Sequence, residues 1–311
     1  DASATGLLVA VDEEGGTVAR LANHSAFDLP KYANAASIGA TGDPEQARAM
    51  GYTIGSYLRP YGFNLDFAPV ADVNSNPQNP VIGKRAFSSD PKIAAAMVSA
   101  AVEGFREAGM LCTLKHFPGH GDTGEDSHAG TATTNQTWEE MQAAALLPFE
   151  AGIAAGADVV MAAHITTPNA TQDGLPASLS YTMLTERLRG ELGFTGVICT
   201  DALEMKAISS HYAPADAAVA ALNAGADILL MPADLCAAFE GVVQAVETGA
   251  VAEERLNESV RRILTLKEKA GVPLGTTAPA PAEKPAAPET TEEAVPEKTS
   301  DRFGWLRAFW S

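Results

Sequence analysis

Three cysteines in 311 residues, Cys112, Cys199 and Cys236, are too few and too widely spaced for a disulfide framework or a thiolate metal site. Two of them lie in apolar runs of strand length, so three free and mostly buried thiols are expected. Basic residues are also scarce, with 21 Lys+Arg against 39 Asp+Glu and a formal net charge of −18. Such a surface repels phosphate backbones and anionic bilayers, which argues against nucleic acid as a partner. No apolar run approaches the roughly 18 residues of a membrane span, and the opening residues lack the basic, apolar, small-residue order of a signal peptide. Neither a Gly-x-Gly-x-x-Gly turn nor a phosphate-binding loop occurs, so no nucleotide cofactor is expected. None of this places the chain in one compartment, and reducing and oxidising settings both stay open.

What is present is a repeated rhythm. Short apolar runs recur at Leu7 to Val11, Leu65 to Val70, Leu111 to Leu114, Val159 to Ala163, Gly196 to Cys199 and Ile228 to Met231. Helical apolar spacing lies between them, at Pro44 to Leu58, Pro91 to Ala108, Trp138 to Ala154, Thr182 to Leu192, Pro214 to Ala224 and Glu253 to Leu266. Strand, polar loop, helix, strand predicts an α/β fold with a parallel sheet. Asp12, Asp72, Lys115-His116, His164 and Asp201 each stand after an apolar run, spread over five strands. That spread favours a (β/α)8 TIM-type barrel, whose site is assembled from many strand ends, over an open sheet with its site at one switch point.

The barrel is expected to occupy 1–271. Composition then shifts to a Pro/Ala/Glu/Thr-rich stretch, 272–300, that reads as a disordered linker. The last segment, 301–311, carries Phe303, Trp305, Leu306, Phe309 and Trp310 with Arg302 and Arg307. It reads either as a sticky terminus or as a short amphipathic anchor making weak contact with a membrane or partner.

The densest chemistry is Lys115-His116-Phe117-Pro118-Gly119-His120-Gly121-Asp122-Thr123, followed by Asp126-Ser127-His128. A Gly-rich loop at a strand end suits closure over a ligand. Asp126 two residues before His128 can bring a carboxylate to an imidazole nitrogen, which fixes the tautomer and supports the imidazolium. Zinc competes for these histidines, but there is no His-Glu-x-x-His and a Gly-rich loop does not preorganise ligands, so no metal is expected. A loop merely stiffened by polar caps is the plainer alternative. The second cluster, Thr200-Asp201-Ala202-Leu203-Glu204-Met205, puts Asp201 directly after a strand. It reads as a nucleophile at a barrel mouth or as the cap of the following helix. A carboxylate plus a separate proton donor is the apparatus of a retaining glycosidase, and histidine, with a reference pKa of about 6.5, can serve as both acid and base.

These motifs resemble glycoside hydrolase family 3, in its β-N-acetylglucosaminidase branch, from about Leu7 to Gly271. Asp12-Glu13-Glu14-Gly15-Gly16 with Arg20, and Asp72-Val73-Asn74-Ser75-Asn76-Pro77 leading through Asn79-Pro80-Val81-Ile82-Gly83 to Arg85, extend the likeness. The resemblance implies that Asp201 is the nucleophile of a covalent glycosyl-enzyme. It implies that His128, oriented by Asp126, is the acid/base, and that Asp12, Arg20, Arg85, Lys115 and His116 bind the sugar. The implied substrate is a small carbohydrate with terminal non-reducing N-acetyl-β-D-glucosamine, such as a peptidoglycan fragment. Family members usually carry a strand and helix ahead of the Asp-x-Glu-Gly-Gly strand, so either this barrel lacks its first βα unit or part of the natural chain is absent from the sequence. A glycoside phosphorylase or β-glucosidase of the same family, and a non-catalytic sugar-binding protein, remain as alternatives.

Overall fold

A computed structural model describes residues 6–126 and 130–274. The expected linker beyond 274 and the aromatic C-terminal segment lie outside the described residues, as does His128. In chain order the elements are β1 (Ala10–Val11), β2 (Glu13–Gly15), β3 (Val18–Ala19), α1 (Ala35–Gly39), α2 (Pro44–Leu58), β4 (Leu65–Asp66), α3 (Pro91–Glu107) and β5 (Leu111–Phe117). There follow β6 (Ala132–Thr133), α4 (Trp138–Ala143), α5 (Leu147–Ala154), β7 (Val159–Ala162), β8 (Ile165–Thr166), a π-helix (Thr182–Glu191) and β9 (Val197–Thr200). The chain continues through α6 (Lys206–Ser209), α7 (Pro214–Ala224), α8 (Leu235–Glu247) and α9 (Glu253–Lys269).

Helix starts follow from side chains that satisfy the free amides of a first turn. Asp43 caps α2 by accepting from Glu45 N and Asp90 caps α3 through Lys92 N and Ile93 N, each with a proline at the first helical position. Thr137 and Glu140 form a reciprocal capping box on α4. Helices α2 and α3 approach closely because Gly104 has no side chain; a Cβ there would lie 2.0 Å from the Arg48 carbonyl oxygen.

The strands β1, β4, β5, β7 and β9 form one parallel sheet in that order, each new strand adding beside the last. Registers run Ala10 to Leu65, Leu65 to Leu111, Thr113 to Val159 and Val159 to Val197. Ile228 adds a parallel bridge to Cys199, a sixth strand position. The two faces bury different cores. Leu8, Ala10, Leu65, Phe67, Leu111, Val159, Val197, Ile228 and Leu230 come together with Leu266 of α9 and Ala270 just after it inside the curled sheet. The larger core, including Ile54, Phe105, Leu114, Phe149, Val160 and Ile198, lies between the sheet and the surrounding helices. This is a curled parallel sheet with the crossover helices on its outer face, the α/β arrangement expected; among the described residues it does not form a ring of eight strands.

Two expectations need correction. The helix read over Trp138 to Ala154 is two helices, α4 and α5. Pro148 supplies no N–H and its ring excludes a helical carbonyl four residues back, at Ala144, where the chain turns with φ −143°. Ile228 to Met231 makes one bridge rather than a strand, and Met231 takes φ 45°. The three thiols are free and mostly buried, as expected: Cys112 and Cys199 are buried and Cys236 is exposed.

Candidate active site

The C-terminal ends of the parallel strands converge on a cluster of charged side chains. Asp12 follows β1, Lys115 and His116 stand near the end of β5, and Asp201 follows β9. In a regular strand Lys115 and His116 would point to opposite faces. A bulge between Lys115 and Phe117 interrupts that alternation, and both side chains reach the same cluster.

Lys115 is the hub. Its Nζ lies 2.6 Å from Asp12 Oδ1 and 2.7 Å from Glu14 Oε1. Burial alone would lower its pKa, but Glu14 and Asp12 outweigh that and raise it, so the ammonium is retained. Arg85, from the short turn Gly83–Arg85, grips Glu14 with two parallel bonds, Nε to Oε2 at 2.9 Å and Nη2 to Oε1 at 2.7 Å. Against the effect of burial, Lys115 and Arg85 hold the Glu14 carboxyl at about 2. Arg85 Nη2 also lies 3.3 Å from His116 Nε2.

Asp72 orders the histidines. Its Oδ2 is 2.7 Å from His116 Nδ1 and accepts the His116 amide at 3.2 Å, while Oδ1 accepts the His120 amide at 2.6 Å. Burial raises this carboxyl, yet His116 and His120 prevail and hold it below the usual range. His120 itself is pushed down by burial and by His116. His164, fully buried, spans from Ser178 Oγ at 2.8 Å to the Ala202 carbonyl at 2.9 Å and so braces the backbone after Asp201.

Asp201 is tied to β7 through its backbone and to the next residue through its side chain. Its amide donates to Ala162 O at 2.8 Å, and its Oδ1 accepts the Ala202 amide at 2.8 Å. The side chain is ringed by protein yet partly open. Burial pushes its carboxyl up, but His116, His164, the Ala202 amide and Lys115 together keep it below the ordinary value. An ionised carboxylate at the mouth of the sheet can attack an electrophilic carbon, while the ion-paired donors beside it can hydrogen-bond a polyhydroxylated ligand.

Of the residues expected from sequence, Asp12, Arg85, Lys115 and His116 are brought into one network. Arg20 is exposed, and its link to the cluster is its amide, which donates to Asp12 O at 3.2 Å. Asp126 is half-buried, with its carbonyl accepting from Gly130 N at 3.1 Å; its expected partner His128 lies outside the described residues. Sequence reasoning gave no role to Glu14, and none to Asp72 beyond its strand-end place. Glu14 had a signal, since it is two residues from Asp12 and residues two apart in extended chain share a face.

The profile of the glycosyl hydrolase family 3 N-terminal domain matches residues 2–266. The chain belongs to glycosyl hydrolase family 3. This family 3 chain is 40% identical over 287 residues to Beta-hexosaminidase A of Pseudoalteromonas piscicida, covering 85% of the chain and 47% of that relative. It is 42% identical over 228 residues to the Beta-hexosaminidase of Stenotrophomonas maltophilia strain K279a, covering 72% and 66% respectively. It superposes on a family 3 β-N-acetylglucosaminidase from Paenibacillus sp. str. FPU-7 with TM-score 0.82 and 43% identity, over 89% of the chain and 53% of that structure. A β-glucoside phosphorylase, BglX, gives TM-score 0.79 at 30% identity, over 85% and 49%. The chain thus spans about half to two thirds of the length of these relatives.

Proposed function

We propose that the chain is the barrel domain, over 1–271, of a retaining β-N-acetylglucosaminidase acting on terminal non-reducing N-acetyl-β-D-glucosamine, with peptidoglycan fragments as the natural class. The observation that carries this reading is Asp201, a strand-end carboxylate tied through one oxygen and kept ionised beside the Lys115 cluster. Asp201 attacks the anomeric carbon and forms the glycosyl-enzyme. His128, set by Asp126, protonates the leaving oxygen and then deprotonates water. Asp12, Arg85, Lys115 and His116 hold the sugar hydroxyls, and Arg20 binds the sugar from its exposed place after the hairpin. The relatives named β-hexosaminidase support the substrate class. The five parallel strands and the sixth position support a barrel of the (β/α)8 TIM type.

The test is hydrolysis of an aryl β-N-acetylglucosaminide against the matching aryl β-glucoside, with Asp201→Ala alongside. Turnover selective for the N-acetyl sugar is expected. Loss of a covalent nucleophile should lower it by at least ~10⁴-fold, with the thermal transition retained. Equal turnover by Asp201→Ala would remove that residue from the nucleophile role, and binding without turnover would make the chain a sugar-binding protein. The likeness to a phosphorylase gives one second reading. Adding inorganic phosphate and looking for sugar-1-phosphate distinguishes it.

A further inference from the structure

Asn79 is buried, and it uses its whole hydrogen-bonding capacity. Its Oδ1 accepts two backbone amides, Val81 N at 2.9 Å and Ile82 N at 2.7 Å. Its Nδ2 donates to the His120 carbonyl at 2.8 Å and the Thr123 carbonyl at 2.9 Å. Two donors facing Oδ1 and two carbonyls facing Nδ2 fix which end of the amide is which. The first pair of bonds belongs to the turn that delivers Arg85, whose Nη1 bonds the Val81 carbonyl at 3.2 Å. The second pair belongs to the loop that leaves β5 and leads to Asp126.

Other contacts hold the same stretch to the same segment. The Asn76 amide donates to Gly121 O at 3.1 Å, and Asn76 Nδ2 reaches Thr123 O at 3.2 Å. Ser75 Oγ bonds Asp122 Oδ1 at 3.3 Å. Gly121 lies so close to Val73 that a Cβ would come within 1.9 Å of its carbonyl oxygen, which leaves no space for a side chain. From below, Asp72 Oδ1 holds the His120 amide.

We propose that Asn79 is a positioning residue that couples the sugar-binding turn of Arg85 to the loop bearing the proton donor, fixing the loop by its His120 and Thr123 carbonyls. Asn79 touches no reacting atom; it acts through the placement of two segments against each other. The inference rests on the hydrolase reading above, in which the donor follows Asp126 on this loop.

The isosteric variant Asn79→Asp keeps an oxygen for Val81 N and Ile82 N but turns the two loop bonds into contacts between an oxygen and two carbonyls. Two substrates are compared by kcat/KM, which reports the first bond cleavage. A dinitrophenyl β-N-acetylglucosaminide needs little protonation of its leaving group, and an N-acetylglucosamine disaccharide needs it fully. General acid catalysis contributes about 10²–10⁴-fold, so a loosened loop should lower the disaccharide value at least ~10-fold more than the aryl value. Azide should also restore part of the variant's kcat on the aryl substrate. Equal losses on both substrates, or none, would overturn the proposal.

Hydrogen exchange over 119–123 supplies a readout independent of turnover. Faster exchange confined to this loop in Asn79→Asp is expected, and unchanged exchange overturns the coupling even if the wild-type chain hydrolyses neither substrate, a result that would sink the hydrolase reading instead. Should Asn79→Asp fail to fold, Asn76→Asp, at a half-buried position on the Asn79 segment that bonds the same Thr123 carbonyl, decides by the same two comparisons.

Discussion

Asp66 and Asp72 are six residues apart, both fully buried, and titrate in opposite directions. The difference lies in their donors. Asp72 accepts two backbone amides and faces the His116 imidazole, which more than offsets the cost of removing its charge from water. Asp66 accepts one amide, Glu13 N at 3.0 Å, and its Oδ2 has no partner among the described residues. Burial therefore raises the Asp66 carboxyl well above its ordinary value, with Glu13 and Asp12 adding to the effect and the Glu13 amide and Lys115 opposing it. A carboxyl whose folded pKa is raised contributes stability that is complete below the unfolded value of about 3.9 and is lost as pH rises toward the folded value. Asp66→Asn keeps an oxygen for Glu13 N and carries no charge. It should unfold at a higher urea concentration than wild type at pH 7, with the gap narrowing toward pH 4. A gap independent of pH would show that the Asp66 charge is not its source.

At the scale of elements, Asp227 shows how few groups tie the second half together. Its carboxylate accepts from Arg189 of the π-helix at 2.6 Å, from Arg255, Ser259 and Arg262 of α9 at 3.1, 2.7 and 3.2 Å, and from the Ile198 amide of β9 at 3.0 Å. Burial, only partly offset by Asp227, leaves Arg189 at about 10, with Arg262 and Arg255 adding to the fall. Removing the anion strands three guanidiniums, so Asp227→Ala should cost about 3–5 kcal/mol, read as a lower urea midpoint. A loss below about 1 kcal/mol, the usual size for a surface pair, would mean that solvent already screens the group.

None of this hub was legible in the sequence, because its members are joined only by the fold. What was legible has local causes. Pro44 to Leu58 and Pro214 to Ala224 begin at prolines suited to a first helical turn, and both helices keep those bounds. The strand-end positions of Lys115, His116 and Asp201 could be read because parallel strands share a period and a direction. Asp12 with Lys115, 103 residues apart, and Glu14 with Arg85, 71 apart, are pairings that no local pattern encodes. The exposed place of Arg20 depends likewise on how the β2–β3 hairpin turns back.

At the scale of the molecule, the curled sheet ends at β1 on one side and at the Ile228 bridge on the other, and α9 spans the interval. Ile263, Leu266, Ala270 and Val272 share a core with Leu8 and Ala10 at one end and Ile228 and Leu230 at the other. Lys269 pairs with Asp158, which also accepts the Cys112 amide at 3.1 Å. Pro273 O accepts the Gly6 amide at 2.7 Å, so the segment after α9 is bonded beside β1. Helix α9 thus fills the sheet's inner face as well as covering one flank. Truncating a single buried leucine typically costs about 2–5 kcal/mol, against a total stability of about 5–15 kcal/mol for a domain. A chain ending at Ala252 loses Leu266, Ala270 and the three α9 ligands of Asp227 together, a deficit of the same order as that whole margin. It should show no cooperative thermal transition and should bind a hydrophobic dye. A chain ending at Leu274 keeps every one of these contacts and should match the melting temperature of the 311-residue chain. Cooperative unfolding of the shorter fragment would mean that the strands and outer helices close a core without α9, and that the helix seals a fold already formed.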